Sequence, residues 1–360
     1  MIAQNLSLCI YLVMLKIGII YGGKSTEHDV SILTGLHLAK HVTDGYQVVL
    51  IYLTRNNQAL VGSRKIDDYI SGKAEKAKVF KKWSQLDCVV NCCHGGFGED
   101  GTLASVLKFY NLPITSCDGV AAWLQQSKIA TRQVLTATGF SQPKFEIINS
   151  LDISKIKLPL PVVVKPDLQG SSIGITVART TEELKNAIML ALSMGERVIV
   201  EELITDMKEV NVAVMRENGK VITSALEIVG GEKFFSFDEK YFNAESGFVK
   251  KTGKTPDDEF LSKIQTEVKR MAEFAYELFG SNGVIRVDFM VAGDKIILNE
   301  INTVPGFMAY HLWLKAHIPY GVVIDNLIQD AIQRHQKNKA YKTNFESRIL
   351  EKNRQLVVEI

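Results

Sequence analysis

The chain has almost no charge imbalance: 42 lysines and arginines stand against 40 aspartates and glutamates, a formal charge of +2 over 360 residues. A surface without an excess of one sign has no electrostatic footprint for nucleic acid or acidic lipid, so a small-molecule partner is expected, with no nucleic acid and no membrane. Nor is there an apolar run of the ~18 residues that a spanning helix needs. The segment from Leu8 to Leu15 imitates a signal sequence, but it follows an uncharged start and no small-residue cleavage site comes after it. Cysteine is scarce and odd in number, at Cys9, Cys88, Cys92, Cys93 and Cys117. That excludes a full disulfide framework and favours reduced thiols in a core, hence a cytoplasmic protein. Biased tracts and internal repeats are absent as well.

What is present is an ordinary globular composition, 46% hydrophobic and 23% charged. Single cores usually stop growing near ~250 to 300 residues, so two or three packed domains are expected. Met14 directly precedes the first convincing strand, and residues 1–13 read as a possible extension. From Lys16 a strand (Ile17 to Tyr21), a glycine turn, a helix (about Val30 to His41) and a strand (Tyr46 to Leu53) follow βαβ logic. The pattern continues through Asp87 to Cys93, a glycine-rich loop, a helix near Thr102 to Tyr110 and a short strand at Pro113 to Ser116. It predicts an open parallel sheet over residues 14–117. A second unit, 118–205, carries a helix from Ser127 to Thr138 and strands at Val162 to Lys165, Gly174 to Ala178 and Arg197 to Val200. A third, 206–335, holds alternating strands from Glu209, a polar and aromatic segment (Glu232 to Lys254), a long helix (Asp258 to Phe279) and a closing hairpin. Residues 336–360 read as a polar tail.

Four motifs carry chemistry. Gly18, Gly23, Lys24 and Ser25 have P-loop spacing, but Ile19, Ile20 and Tyr21 between the glycines belong to a buried strand, where a phosphate loop needs exposed backbone. Gly22 and Gly23 are better read as a strand-to-helix turn that presents Glu27 at the sheet's carboxyl edge, facing a cation such as an ammonium, or simply as a first-turn carboxylate. The run His94-Gly95-Gly96-Phe97-Gly98-Glu99-Asp100-Gly101-Thr102 follows the strand ending in Cys93. It allows close backbone approach, with Asp100 or Thr102 as helix cap and His94 either in the site or in the core. Lys165-Pro166 before Gly170-Ser171-Ser172-Ile173-Gly174 forms a donor-rich turn with a cation at its entrance, suited to phosphates. Finally, Arg286, Asp288, Glu300 and Asn302 interrupt two apolar strands. A three-residue loop at Gly293-Asp294-Lys295 would set Asp288 opposite Glu300 and Arg286 opposite Asn302; a two-residue loop would split them between faces. Two carboxylates and an amide suit Mg²⁺, and the alternative is a buried salt bridge of Arg286 with the acids.

Taken together, the stretches 22–31, 94–101, 170–174, 239–241 and 299–306 resemble the D-alanine-D-alanine ligase family in order and spacing, over about Lys16 to Leu312. The resemblance implies an α/β chain with an ATP-grasp fold: an N-terminal open parallel α/β domain followed by two α+β subdomains that hold ATP between them. It implies that Lys128, Lys165, Ser171, Ser172, Glu201, Glu202, Leu203, Glu209 and Lys240 contact ATP, and that Asp288, Glu300 and Asn302 hold two Mg²⁺ ions, with Mn²⁺ as a substitute. Glu27 and His94 would meet the first D-alanine and Lys240 the carboxylate of the second, while Ser171 and Tyr241 hold Glu27 and a closing loop from Phe234 to Phe242. Arg286 and the Gly306 N–H would stabilise the tetrahedral oxyanion. The implied reaction makes D-alanyl-D-alanine through an acyl-phosphate for peptidoglycan, in a homodimer. His311 stands where the family usually has a serine for the second carboxylate, which leaves a different acceptor open; a P-loop NTPase using Lys24 is the reading from another class. Ser127 and Phe237 also depart, at positions where aspartate and tyrosine are common.

Overall fold

A computed structural model describes residues 14–170, 172–229, 256–341 and 347–352. Residues 1–13, Ser171, Lys240, Tyr241, Phe237 and the rest of the expected closing loop lie outside the described residues, as do most residues of the expected tail.

The first unit is a sheet of order β3-β2-β1-β4, from β1 (Leu15–Gly22), β2 (Tyr46–Leu53), β3 (Ala59–Val61) and β4 (Cys88–Asn91), with α1 (His28–His41) between the first two strands. Strands β1, β2 and β4 are parallel, as βαβ logic requires, while β3 pairs antiparallel to β2 and makes the sheet mixed. The short helix α2 (Asp67–Ile70) follows. The strand expected at Pro113 to Ser116 is reduced to one parallel bridge from Ile114 to Val89. Alternate residues enter two different cores: Ile17, Ile19 and Tyr21 one, Ile20 the other. A sheet covered on both faces in this way explains why β1 and β4 read as continuous apolar runs. Gly18 lies inside that core, where a Cβ would come within 2.8 Å of Leu86.

Helices α3 (Thr102–Phe109), α4 (Gly119–Gln126) and α5 (Lys128–Thr136) lead to the second sheet. Its order is β5-β8-β6-β7, from β5 (Phe145–Ile148), β6 (Val162–Pro166), β7 (Thr176–Ala178) and β8 (Val198–Glu202), all antiparallel, backed by α6 (Thr181–Leu192). Thr180 caps α6 by accepting from the Glu183 N–H at 3.1 Å, and Glu183 accepts from the Arg179 N–H.

The third sheet has the order β10-β9-β11-β12: β9 (Lys208–Glu217), β10 (Lys220–Val229), β11 (Ile285–Ala292) and β12 (Lys295–Asn302), with the long helix α7 (Pro256–Leu278) over one face. Helices α8 (Tyr310–Lys315), α9 (Tyr320–Lys339) and α10 (Ile349–Lys352) follow. Along α9, Tyr320, Val323, Ile324, Leu327, Ile328 and Ala331 form an apolar stripe at helical spacing, and this stripe packs on the first sheet beside Ile17 and Val90. Burying Val323, Ile324, Leu327 and Ile328 is worth roughly 6 to 12 kcal/mol before chain entropy. Helix α9 thus packs back onto the first sheet and carries the 303–313 segment against α1.

Candidate active site

The turn after β1 is built as its glycines demand. Gly22 has φ 88°, and a Cβ there would strike the Leu53 carbonyl at 2.3 Å. Ser31, on the first turn of α1, accepts from the Gly22 N–H and donates to the Cys92 carbonyl, both at 2.7 Å. That one hydroxyl ties the ends of two strands to the helix and leaves Glu27 buried at the sheet's carboxyl edge. Gly95, at φ 68°, lets the next loop abut it: a Cβ there would lie 2.8 Å from Glu27 Oε2. Lys24, by contrast, is exposed, and its N–H is held by Asn57.

His94 is buried, with both ring nitrogens engaged. Nδ1 lies 2.8 Å from the Val304 carbonyl and so carries the proton. Nε2 then accepts from the Thr34 hydroxyl at 2.7 Å, and that oxygen accepts from the Phe307 N–H at 3.2 Å. Glu99 lies 3.7 Å from His94 Nδ1. Burial first, and then the charge of Glu27, raise the Glu99 carboxyl above its ordinary value. The cap of α3 differs from expectation: its N-cap is Gly101, in left-handed conformation, while Asp100 accepts from the Thr102 N–H at 2.8 Å.

The second and third sheets face each other across a cleft of ≈ 540 Å³, open to solvent, lined by Lys165, Ser172, Glu201 and Glu202 on one side and Glu209, Asn299 and Glu300 on the other. Leu203 does not line it. A neighbouring cleft holds Glu99, Lys128, Gly170, Asn299, Glu300 and Asn302. Asn299 and Glu300 therefore stand in the wall between the two spaces. Lys128 Nζ donates to the Gln169 carbonyl; burial lowers its pKa, with Lys165 adding to the effect and Glu300 opposing it. Lys165 Nζ contacts Glu201 Oε2 at 2.6 Å, and Arg132 Nε contacts Glu201 Oε1 at 2.6 Å. Burial would raise the Glu201 carboxyl, but the two cations outweigh it and hold it at about 2. Glu202 accepts from the Lys144 N–H.

The β11–β12 hairpin reaches the expected pairing by another route. Its loop is Gly293-Asp294, since Ala292 pairs Lys295, and the two-residue loop alone would split the polar residues. A bulge at Asn299 inserts the missing residue, so that Asp288 pairs Glu300 and Arg286 pairs Asn302. Arg286 binds Asp288 bidentately at 2.7 and 2.8 Å, and Asn302 Nδ2 donates to Asp288 at 2.9 Å. Among the described residues no three His, Cys, Asp or Glu side chains gather to hold a metal. The set is two carboxylates and an amide, the hard oxygen donors that Mg²⁺ accepts with water and phosphate completing its shell.

Beyond β12, Gly306 is half-buried, and a Cβ there would meet nothing within 4 Å, which leaves its backbone open to a ligand. Phe307, Met308 and Ala309 then take three successive positive φ angles, near 50°. This costly turn is held by Thr34, by the Tyr320 hydroxyl on the Phe307 carbonyl at 2.9 Å and by Trp313 on the Met308 carbonyl at 3.1 Å. His311 pairs with Glu227 of β10 at 2.8 Å, Lys315 binds the same carboxylate, and His311 lines neither cleft. Burial would raise Glu227, but His311 and Lys315 hold it at about 2.

Sequence reasoning missed Asp167, Arg132, Thr34 and Asn299. Asp167, buried, accepts from Ser127 at 2.7 Å and the Ile129 N–H at 3.0 Å and pairs with Arg197, pinning the start of α5 to β6. Ser127 therefore keeps a polar contact, and an aspartate in its place would meet the Asp167 carboxylate.

Comparison with known proteins matches this geometry to one family. The profile described as D-ala D-ala ligase N-terminus matches residues 16–117, and that of the D-ala D-ala ligase C-terminus matches 129–333. A D-alanine–D-alanine ligase of Thermosipho africanus is 30% identical over 91% of this chain and 96% of its own length. Among solved structures, the D-alanine-D-alanine ligase of Coxiella burnetii superposes with a TM-score of 0.74 at 22% identity, covering 90% of this chain and 96% of that one. The VanG D-Ala:D-Ser ligase of Enterococcus faecalis does so with 0.74 at 23%, covering 88% and 99%. The fold is ATP-grasp, and the chain belongs to the D-alanine-D-alanine ligase family.

Proposed function

We infer that the chain joins two D-alanine molecules to D-alanyl-D-alanine, a peptidoglycan precursor, with ATP converted to ADP and phosphate. The observation that carries this reading is the wall shared by two clefts: Asn299 and Glu300 face both the space between the β-sheets and the space beside Glu99 and Gly170. A γ-phosphate held on one side meets a carboxylate held on the other. The carboxylate of the first D-alanine attacks that phosphorus, ADP leaves, and the amine of the second attacks the acyl carbon and expels phosphate. Positioning does most of the work, and no side-chain nucleophile is needed.

Glu27, buried at the sheet edge, supports an ammonium contact; Lys165 supplies a cation to the nucleotide cleft and Lys128 one to the neighbouring cleft. Asp288, Glu300 and Asn302 would hold Mg²⁺ or Mn²⁺, which neutralises charge on the transferring phosphoryl group. Arg286 binds Asp288 bidentately; with that carboxylate holding a metal, its guanidinium would serve a developing oxyanion beside the Gly306 N–H. Roles for Ser171, Ser172, Lys240, Tyr241, Glu209, Glu202 and Leu203 follow the family likeness.

The acceptor is proposed to be D-alanine. A D-Ala:D-Ser ligase shares the fold, so fold alone does not choose, but the His311–Glu227 pair supports a structural role for His311 and removes the reason to invoke a different acceptor. A cytoplasmic homodimer is part of the proposal and follows the family likeness. The test is phosphate release from ATP and Mg²⁺ with and without D-alanine, the product identified by mass. Release that depends on D-alanine and yields the dipeptide is expected; release indifferent to D-alanine sinks the reading.

A further inference from the structure

Arg132 is a guanidinium 2% exposed, in the middle of α5, with no contact to solvent that would make its charge cheap. Its Nε meets Glu201 Oε1 at 2.6 Å, and its Nη1 donates to the Leu298 carbonyl at 2.5 Å. Leu298 immediately precedes the Asn299 bulge. One side chain therefore joins α5, the second sheet through β8 and the third through β12, under the floor of the nucleotide cleft. The other oxygen of Glu201 takes Lys165, whose Nζ also lies 3.4 Å from Asn299 Oδ1.

Counting charge in this buried group, two cations share one carboxylate, so the group carries one net positive charge next to a cleft built for phosphates. Were Arg132 absent, Glu201 would neutralise Lys165 and the floor would carry none. We propose that Arg132 is a positioning residue of the nucleotide site: by taking half of Glu201 it leaves the Lys165 charge effective toward the phosphates of ATP, and through the Leu298 carbonyl it holds the bulge that aims Asn299 and Glu300. This rests on the ligase reading for the identity of the nucleotide. The Glu201 carboxyl held at about 2 agrees with a carboxylate flanked by two cations.

The test uses the full chain with three variants: Arg132→Met, Arg132→Lys and the double variant Arg132→Met with Glu201→Gln. The Michaelis constants for ATP and D-alanine are measured with each variant's melting temperature. At an effective dielectric of ~20, one unit charge set back roughly 10 to 12 Å from the phosphates corresponds to about tenfold in affinity. Arg132→Met is expected to raise the KM for ATP about tenfold and leave that for D-alanine within about twofold. Arg132→Lys keeps the charge and stays near wild type for ATP, and the double variant, restored to one net positive charge, recovers most of the loss. A purely structural Arg132 would lower the melting temperature without moving the KM for ATP, and a double variant no better than the single would also overturn the proposal. If Arg132→Met fails to fold, Arg132→Gln decides, since it can still donate to the Leu298 carbonyl but carries no charge: a raised KM for ATP is expected, and an unchanged one contradicts the account. Calorimetric binding of a non-hydrolysable ATP analogue reads the same series if the wild type shows no D-alanine-dependent turnover, an outcome that would count against the ligase reading and not against Arg132.

Discussion

Replacing Thr34 by valine should damage the site at its hinge. Valine matches threonine in shape, so no cavity opens, but the hydroxyl at the centre of the Phe307–Thr34–His94 relay is removed. Two groups lose their partner: His94 Nε2, bound at 2.7 Å, and the Phe307 N–H, bound at 3.2 Å. Thr34 and His94 are buried, at 0% and 3% exposure, so water does not replace the lost bonds. An orphaned buried polar group costs about 1 to 3 kcal/mol. The long bond to the half-buried Phe307 belongs at the low end, which puts the total near 3 kcal/mol. At about 1 to 2 °C per kcal/mol for a chain of 360 residues, the melting temperature should fall by roughly 3 to 6 °C. The Phe307–Ala309 turn, already in left-handed backbone, loses an anchor next to Gly306, so kcat should fall as well. Thr34→Ser, which keeps the hydroxyl, should recover most of both. Scanning fluorimetry and steady-state kinetics measure this, and a valine variant with wild-type melting and kcat would refute the relay.

Three further outcomes follow from the same geometry. Lys24→Ala should leave ATP turnover largely intact, because Lys24 is exposed and Gly18 is a core glycine; abolished turnover would revive the P-loop reading. His311→Ser should change the preference between D-alanine and D-serine acceptors by less than about twofold and cost under ~1 kcal/mol, since Lys315 still holds Glu227 and His311 is partly exposed; a switch of acceptor in competition assays would place His311 in the acceptor pocket after all. The third concerns acid. Glu201 and Glu227 are held at about 2 from ordinary values of 4.5, so their stabilisation is fully present above about pH 4.5 and is lost as pH falls toward 2. In acid titrations followed by circular dichroism, Glu201→Gln should flatten that loss.

Much of this architecture was legible because it is local. The helix from His28 to His41 and the strand from Tyr46 to Leu53 announce themselves by spacing and by the glycine turn before them. The Glu27 turn and the polar hairpin were legible as polar residues placed where a core strand has no use for them. What escaped was non-local. A bulge such as that at Asn299 has no local signature, and the pairing of Asp288 with Glu300 was reached on the assumption of a longer loop. Arg132 meets Glu201 across 69 positions and Thr34 meets His94 across 60, and a single sequence does not say which buried ion finds which partner. The packing of α9 on the first sheet was hidden for the same reason: its apolar stripe shows that it is covered, not by what.

The central claim is that a carboxylate oxygen of the first D-alanine passes to phosphorus and leaves with it. Turnover of ATP with D-alanine labelled with heavy oxygen in its carboxylate, followed by mass analysis of the released phosphate, tests it directly. One labelled oxygen per phosphate is the expected result. Phosphate that carries no label while dipeptide accumulates would contradict the acyl-phosphate route and the role assigned to the wall between the two clefts.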